Sequence, residues 1–242
     1  MFASSLAAVR YIRSALAAGI EGETSSEPFL SVGKIRRNLR LAVELRRIRN
    51  RFGKLDYVGL SSPWIRDVEL FADNLRSVFV YEIHLHFVPV MVANLHSVFG
   101  WQDVRYSIKD ICEDLRSGNV LTAGSCDFNS PWIINLDFCA DVPADLVVDV
   151  AFSVRERVAL QSAPTAGIVA ITFRCADHDF PAHLLRDLIA CLSGAGVDVA
   201  AAKSSSYRGN LSELMGHIWV RVDAAGLAAP SSSRWPGMSG HR

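Results

Sequence analysis

The chain has 242 residues, half of them hydrophobic and 21% charged, which is enough apolar material for a large core and excludes a disordered chain. Its 25 basic and 25 acidic residues cancel, so no overall field recruits nucleic acid or membrane, and such a partner would need a local patch. Five scattered cysteines without a CxxC pair favour reduced thiols and a cytoplasmic protein, and no apolar run reaches the ~20 residues that span a bilayer.

Residues 1–50 are predicted to form a helical extension. The first helix is amphipathic, with one apolar side formed by Leu6, Val9, Ile12 and Leu16. A loop rich in Gly, Glu, Ser and Thr follows, and "VGKIRRNLRLAVELRRIRNRFGK" then predicts a second helix with an arginine-rich face. That face is either a solvated surface or a surface that binds a phosphate backbone through Arg36, Arg37 and Arg40.

Strand and helix patterns alternate from residue 51 onward. Apolar runs typical of buried parallel strands cover Leu55 to Leu60, Ser77 to Tyr81, Val104 to Ile108, Trp132 to Leu136 and Gly167 to Phe173. The segments between them predict helices at Ile65 to Leu75, Val88 to Phe99, Ile111 to Arg116, Asp145 to Leu160 and Ala182 to Ser193.

The predicted fold is α/β, with a Rossmann-like, doubly wound, mostly parallel sheet of about seven strands, an antiparallel last strand and N-terminal helices. This domain is expected over residues 51–225, followed by a flexible tail at 226–242. "SSSYRGN", residues 204–210, is predicted to be a polar loop over the active edge, with Tyr207 and Arg208 as acceptor-binding groups.

Acidic residues follow the predicted strands, where doubly wound sheets bind ligands. Glu82 lies about 20 residues beyond the first turn, the position from which a carboxylate accepts both hydroxyls of a ribose. Asp110 is expected to accept from an adenine amino group or to cap the next helix, with Glu113 completing a capping box, and the two roles are compatible. Asp137 follows the apolar "WIINL", where a low dielectric suits a carboxylate to general-base or metal chemistry.

The succession "LDYVGLSSPW", "FVYEIH", "YSIKDI", "WIINLDF" and "GIVAITF" resembles the motif series of class I S-adenosylmethionine-dependent methyltransferases, over about residues 55–222. More narrowly, it is similar to bacterial methyltransferase-like proteins with an atypical first motif. The resemblance implies S-adenosylmethionine as cofactor and methyl transfer to an unknown acceptor. It implies that the methionine part of the cofactor contacts Gly59, Leu60 and Ser61. It also implies that the ribose contacts Glu82 and that the adenine contacts Asp110. The methyl acceptor is then expected to contact Asp137 and Phe138.

Two motifs depart from that family pattern. The first turn, "YVGLSSPWIRD", has one glycine instead of GxGxG, with Trp64 expected as a stacking wall and Arg66 and Asp67 as an ion pair near the cofactor. "NLDFC" lacks the two prolines that clamp a flipped base, which disfavours methylation of base amino groups. A catalytically inactive module that binds partners through its basic helix, and an NAD-binding oxidoreductase, therefore remain as alternatives.

Metal chemistry has weaker support. His84 and His86 could share one side of a strand but have no third ligand in the pattern. Asp177, His178 and Asp179 follow the fifth strand and either hold a divalent cation or cap the next helix, and we favour the cap. No metal ligand is therefore assigned.

Overall fold

A seven-stranded sheet forms the centre of the molecule in the computed structural model, which describes residues 32–61, 65–99, 104–123, 127–138, 140–209 and 213–224. The strands are β1 (Leu55–Leu60), β2 (Leu75–Tyr81), β3 (Val104–Ser107), β4 (Trp132–Asp137), β5 (Thr165–Arg174), β6 (Val199–Arg208) and β7 (Leu214–Ala224). Their order is β3-β2-β1-β4-β5-β7-β6, and only β7 runs antiparallel to its neighbours. The predicted fold class is confirmed.

Helices cover both faces of the sheet. They are α1 (Val32–Phe52), α2 (Arg66–Phe71), α3 (Val88–Val98), α4 (Ile111–Arg116), α5 (Val120–Ala123), α6 (Leu146–Ala159) and α7 (Phe180–Gly194). Short 3-10 turns at Ala72–Asn74 and Leu85–Phe87 precede β2 and α3. Helices α1 to α3 pack on one face and α4 to α7 on the other, because successive strand residues point to opposite faces and both sides of a parallel sheet must be buried.

Helix α1 is part of the core. Leu41, Leu45 and Ile48 are at most 2% exposed and belong to the same apolar cluster as β1 residues Leu55 and Tyr57. This apolar stripe recurs at three- and four-residue steps, so the periodicity that predicts the helix also fixes which side it buries. The sequence-based boundary at residue 50 stays a prediction.

The structure corrects two of the predicted elements. The helix expected over Ile65 to Leu75 ends at Phe71, because a 3-10 turn leads into β2 at Leu75. The predicted loop at 204–210 is strand β6 as far as Arg208, which pairs with Leu214 of β7. An edge strand is paired through its backbone on one side only and can carry small polar side chains. The side-chain pattern of β6 therefore did not indicate a strand.

Some predictions fall outside the described residues, namely the amphipathic helix before residue 32, the stacking role of Trp64 and the tail at 226–242. Among the helices that the structure describes, none is long and apolar enough to cross a membrane. Cys112, Cys175 and Cys191, the described cysteines, are free thiols.

Candidate active site

A cavity of about 450 Å³ lies at the carboxyl ends of β1, β2 and β4. The strand order reverses between β1 and β4, which is the point where doubly wound sheets bind their ligands. Its lining includes six residues predicted from the sequence: Leu60, Ser61, Glu82, Asp110, Asp137 and Phe138. The remaining wall is largely apolar, with contributions from Ile83, Phe87, Ile111 and Pro143. The fold thus brings the candidate residues together, while what they bind stays a prediction.

Glu82 and Asp110, which follow β2 and β3, line this cavity and are fixed by backbone hydrogen bonds. Glu82 is buried directly after β2, and its Oε1 accepts from the backbone N–H of His84 at 2.7 Å. Asp110 caps α4, since its Oδ1 accepts from the backbone N–H of Cys112 at 2.9 Å. Both carboxylates therefore have a set direction while they line the cavity. The capping role predicted for Asp110 is confirmed.

Gly59 lies next to the cavity but is not among the residues that line it. It pairs with Asn135 of β4, and a Cβ built on Gly59 would lie 2.1 Å from the Asn135 carbonyl oxygen. The close approach of β1 to β4 is therefore sufficient to explain this glycine. Leu60 and Ser61, the next two residues, reach the cavity.

A buried polar network surrounds Asp67 beneath the first turn. Its carboxylate accepts hydrogen bonds from Asn135 Nδ2 at 2.7 Å, from the Tyr57 hydroxyl at 3.2 Å and from Ser61 Oγ at 3.3 Å. Burial raises the pKa of the Asp67 carboxyl, whereas the charge of Lys34 lowers it. The predicted ion pair between Arg66 and Asp67 is wrong, because Arg66 pairs with Glu69 at 3.1 Å while Asp67 turns inward.

Asp137 is held by two cations of α1. Lys34 Nζ lies 2.7 Å and Arg37 Nη2 3.3 Å from Asp137 Oδ2. The Asp137 side chain is 10% exposed, so this contact joins the end of β4 to the first turns of α1 in a mostly dry setting. Lys34 also lines the cavity, and it is therefore a candidate site residue that the sequence analysis missed.

Arg37 continues this network across the sheet. Its Nη1 donates to Thr172 Oγ1 of β5 and, at 3.4 Å, to the Tyr207 hydroxyl of β6. Thr172 Oγ1 also lies 3.2 Å from Nδ1 of His217, a buried imidazole of β7. Burial lowers the pKa of His217 well below its ordinary value, and the charge of Arg37 acts in the same direction. Arg37 is only 4% exposed, so it does not belong to the solvent-facing basic surface predicted for it.

The sequence contained a signal for the burial of two polar residues, Arg37 and Asn135, that the sequence analysis missed. Arg37 lies four residues before Leu41 in the apolar stripe of α1, and a charged residue on a buried side requires a partner. Asn135 interrupts the apolar run of β4 in the same way. Neither signal identifies the partner, because Arg37 and Asp137 are 100 residues apart.

The candidate metal residues have other contacts. His84 lines the cavity, and its ring lies near those of His86 and Phe87, with centroids 5.7 and 5.9 Å away. Asp177 Oδ1 accepts from the backbone N–H groups of Asp179 and Phe180, the capping alternative for the start of α7. Within the described ranges, no group of three His, Cys, Asp or Glu residues is arranged to hold a metal ion.

Comparisons with known proteins give structural matches only. No family model and no curated protein sequence matches the chain. A candidate RNA methyltransferase from Pyrococcus horikoshii is 15% identical, with a TM-score of 0.50 over 90% of this chain and 99% of its own. Magnesium protoporphyrin IX methyltransferase from Synechocystis PCC 6803, solved with S-adenosylhomocysteine, is 12% identical, with a TM-score of 0.50 over 88% and 93%.

A candidate transferase from Pyrococcus horikoshii is 11% identical, with a TM-score of 0.51 over 81% of this chain and 64% of its own. At these identities the likeness concerns the fold, and the strand order with its antiparallel β7 agrees with it. The chain therefore has the Rossmann-like fold of the class I S-adenosylmethionine-dependent methyltransferases.

Proposed function

We propose that this protein is an S-adenosylmethionine-dependent methyltransferase. The observation that carries the proposal is the cavity at the switch point of a methyltransferase-type sheet, lined by Glu82 and Asp110, which follow β2 and β3, and by Asp137 at the end of β4. A nucleoside offers hydroxyl and amino donors, which carboxylates accept, whereas the apolar wall suits the rest of such a ligand.

The residues present fit this cofactor without a glycine-rich turn. Glu82 is the proposed partner of the ribose hydroxyls, and Asp110 that of the adenine amino group. Leu60 and Ser61 are the proposed contacts of the methionine part, and the backbone at Gly59 would provide the close approach. S-adenosylmethionine supplies a methyl group bound to a positively charged sulfur.

The part of the cavity at the end of β4, with Asp137 and Phe138, is the proposed acceptor side. Because Lys34 and Arg37 both contact Asp137 Oδ2, an orienting role suits this carboxylate better than proton abstraction. Phe138 and Pro143 would exclude water, and the chain would contribute mainly by holding two reactants in line. Of the similar structures, one is a candidate RNA methyltransferase and one acts on magnesium protoporphyrin IX, so the fold leaves the acceptor open.

Calorimetric titration with S-adenosylmethionine, S-adenosylhomocysteine and NAD tests this proposal. We expect both sulfur nucleotides to bind more tightly than NAD. Glu82→Gln keeps the shape of the side chain and removes its charge, so it should weaken their binding by about 10- to 150-fold, the loss of a hydrogen bond to a charged group. Glu156→Gln on α6 changes the same chemical group outside the cavity and should bind like the unmodified protein.

Two results would overturn the proposal. The first is no binding of either sulfur nucleotide at millimolar concentration, which would favour the inactive binding module. The second is tighter binding of NAD, which would favour an oxidoreductase. Equal weakening by Glu82→Gln and Glu156→Gln would remove Glu82 from the proposed site.

A further inference from the structure

The positive charge of this neutral protein is concentrated on one helix. Residues 34–54 contain nine of the 25 basic residues and only one acid, Glu44. The remaining 16 basic residues of the chain are outnumbered by 24 acidic ones. A polyanion would therefore meet a local positive patch on α1, although the whole molecule has no net charge.

Four of these residues form one exposed row, which we name the arginine stripe: Arg36, Arg40, Arg47 and Arg51. They are exposed to solvent, whereas Leu41, Leu45 and Ile48 of the same helix pack in the core. The row extends over 16 residues, from Arg36 to Arg51, or about 22 Å of helix. It begins two residues after Lys34, which lines the candidate active-site cavity.

The arrangement favours nucleic acid over a membrane surface. A helix that lies on a membrane inserts an apolar face, but the apolar face of α1 is already buried against the sheet. The exposed side contributes one large apolar residue, Val43, which is 46% exposed. Arginine pairs with phosphate through two parallel hydrogen bonds, and a row along a rigid helix can follow a phosphate backbone.

We propose that the arginine stripe is a docking surface for the phosphate backbone of a nucleic acid. Arg37 is excluded from this surface because it is buried against Asp137. The stripe holds no aromatic side chain for base stacking, so binding depends on phosphates and is insensitive to sequence. The inference does not rest on methyl transfer and would hold for an inactive protein.

The test is fluorescence anisotropy with a labelled single-stranded RNA homopolymer, titrated from low to physiological salt. A variant with Arg36, Arg40, Arg47 and Arg51 changed to Gln is compared with the unmodified protein. A matched control removes four exposed cations elsewhere, at Arg116, Arg155, Arg186 and Lys203. The slope of log K against log salt is negative, and each phosphate contact adds about 0.7 to its magnitude. The loss of four contacts should therefore reduce the magnitude of the slope by about 3 in the stripe variant.

Loss of binding and of salt dependence in the stripe variant alone supports the proposal. No RNA binding by the unmodified protein at low salt overturns it, and so does equal loss in the stripe variant and the control. Vesicles of phosphatidylserine and phosphatidylcholine provide a second comparison. Binding to these vesicles that exceeds binding to RNA, and that is lost in the stripe variant, would overturn the proposal in favour of a membrane surface.

Discussion

Arg36 and Arg37 are adjacent in the sequence and lie in opposite environments. Arg36 is exposed, whereas Arg37 is buried and contacts Asp137 and Thr172. Arg37→Met should lower the free energy of unfolding by about 3 kcal/mol, because it removes one of the cations that contact the nearly buried carboxylate of Asp137. Urea denaturation measures this effect, and Arg36→Met should change stability by less than about 0.5 kcal/mol. If the two variants have similar unfolding midpoints, the contact between Arg37 and Asp137 does not stabilise the packing of α1.

His217 should make stability depend on pH. Burial and the charge of Arg37 lower its pKa in the folded protein, so the folded imidazole stays neutral. The unfolded chain takes up a proton below a pH of about 6.5, and stability should then fall by up to about 1.4 kcal/mol per pH unit as the pH decreases, until the lowered pKa of folded His217 is reached. Above that window His217 should contribute no slope.

Urea denaturation across this pH window measures the slope. His217→Gln should reduce it by the contribution of one proton. His183→Gln, which changes an exposed histidine, is the comparison variant. If His217→Gln unfolds with the slope of the unmodified protein, the buried imidazole is not the group that titrates.

At the scale of elements, Gly33 sets how α1 meets β6. A Cβ on Gly33 would lie 2.3 Å from Cδ2 of Tyr207 and 2.7 Å from its Cβ, so the obstacle includes the base of that side chain. Gly33→Ala should therefore destabilise the protein by about 1–3 kcal/mol, although alanine is the better helix former by about 1 kcal/mol. Thermal unfolding measures the difference.

Gly194 provides the matched control, because a Cβ at this helical glycine would meet nothing within 4 Å. Gly194→Ala should leave stability unchanged or raise it by up to about 1 kcal/mol. In a Tyr207→Ala background, Gly33→Ala should cost less than in the unmodified protein, since the ring is gone and only the Cβ of residue 207 remains as an obstacle. If Gly33→Ala is as stable as Gly194→Ala, then α1 does not pack closely on β6.

Strands and helices could be predicted where the pattern along the chain determines them. The apolar run of β4 and the acid that follows it identified a strand and a cavity residue, Asp137, from neighbouring positions alone. The contacts of Lys34 and Arg37 could not be found in this way, because they depend on the packing of α1 across β4, β5 and β6. Helix periodicity predicts which side is apolar, but it does not predict what an embedded charge will meet.

At the scale of the whole molecule, α1 links the core, the cavity and the charged surface. Its apolar side packs with the sheet, Lys34 lines the cavity, and the arginine stripe faces solvent. Burial of Leu41, Leu45 and Ile48 contributes about 1.5–3 kcal/mol each, which is comparable to the total stability of about 5–15 kcal/mol expected for a domain. Helix α1 should therefore unfold with the sheet.

Cooperative unfolding distinguishes this expectation from the separate extension predicted for residues 1–50. Circular dichroism follows the helices, whereas tryptophan fluorescence includes the signals of Trp132 in β4 and Trp219 in β7 and so reports on the sheet. Leu45→Ala should lower both urea midpoints together, with a loss of about 2–5 kcal/mol from the cavity it creates. Val43→Ala, at an exposed position of the same helix, should leave both midpoints nearly unchanged. If Leu45→Ala shifts the circular dichroism transition but not the fluorescence transition, then α1 unfolds as a separate unit. A helix that shares its core with the sheet would shift both transitions, because the two would unfold together.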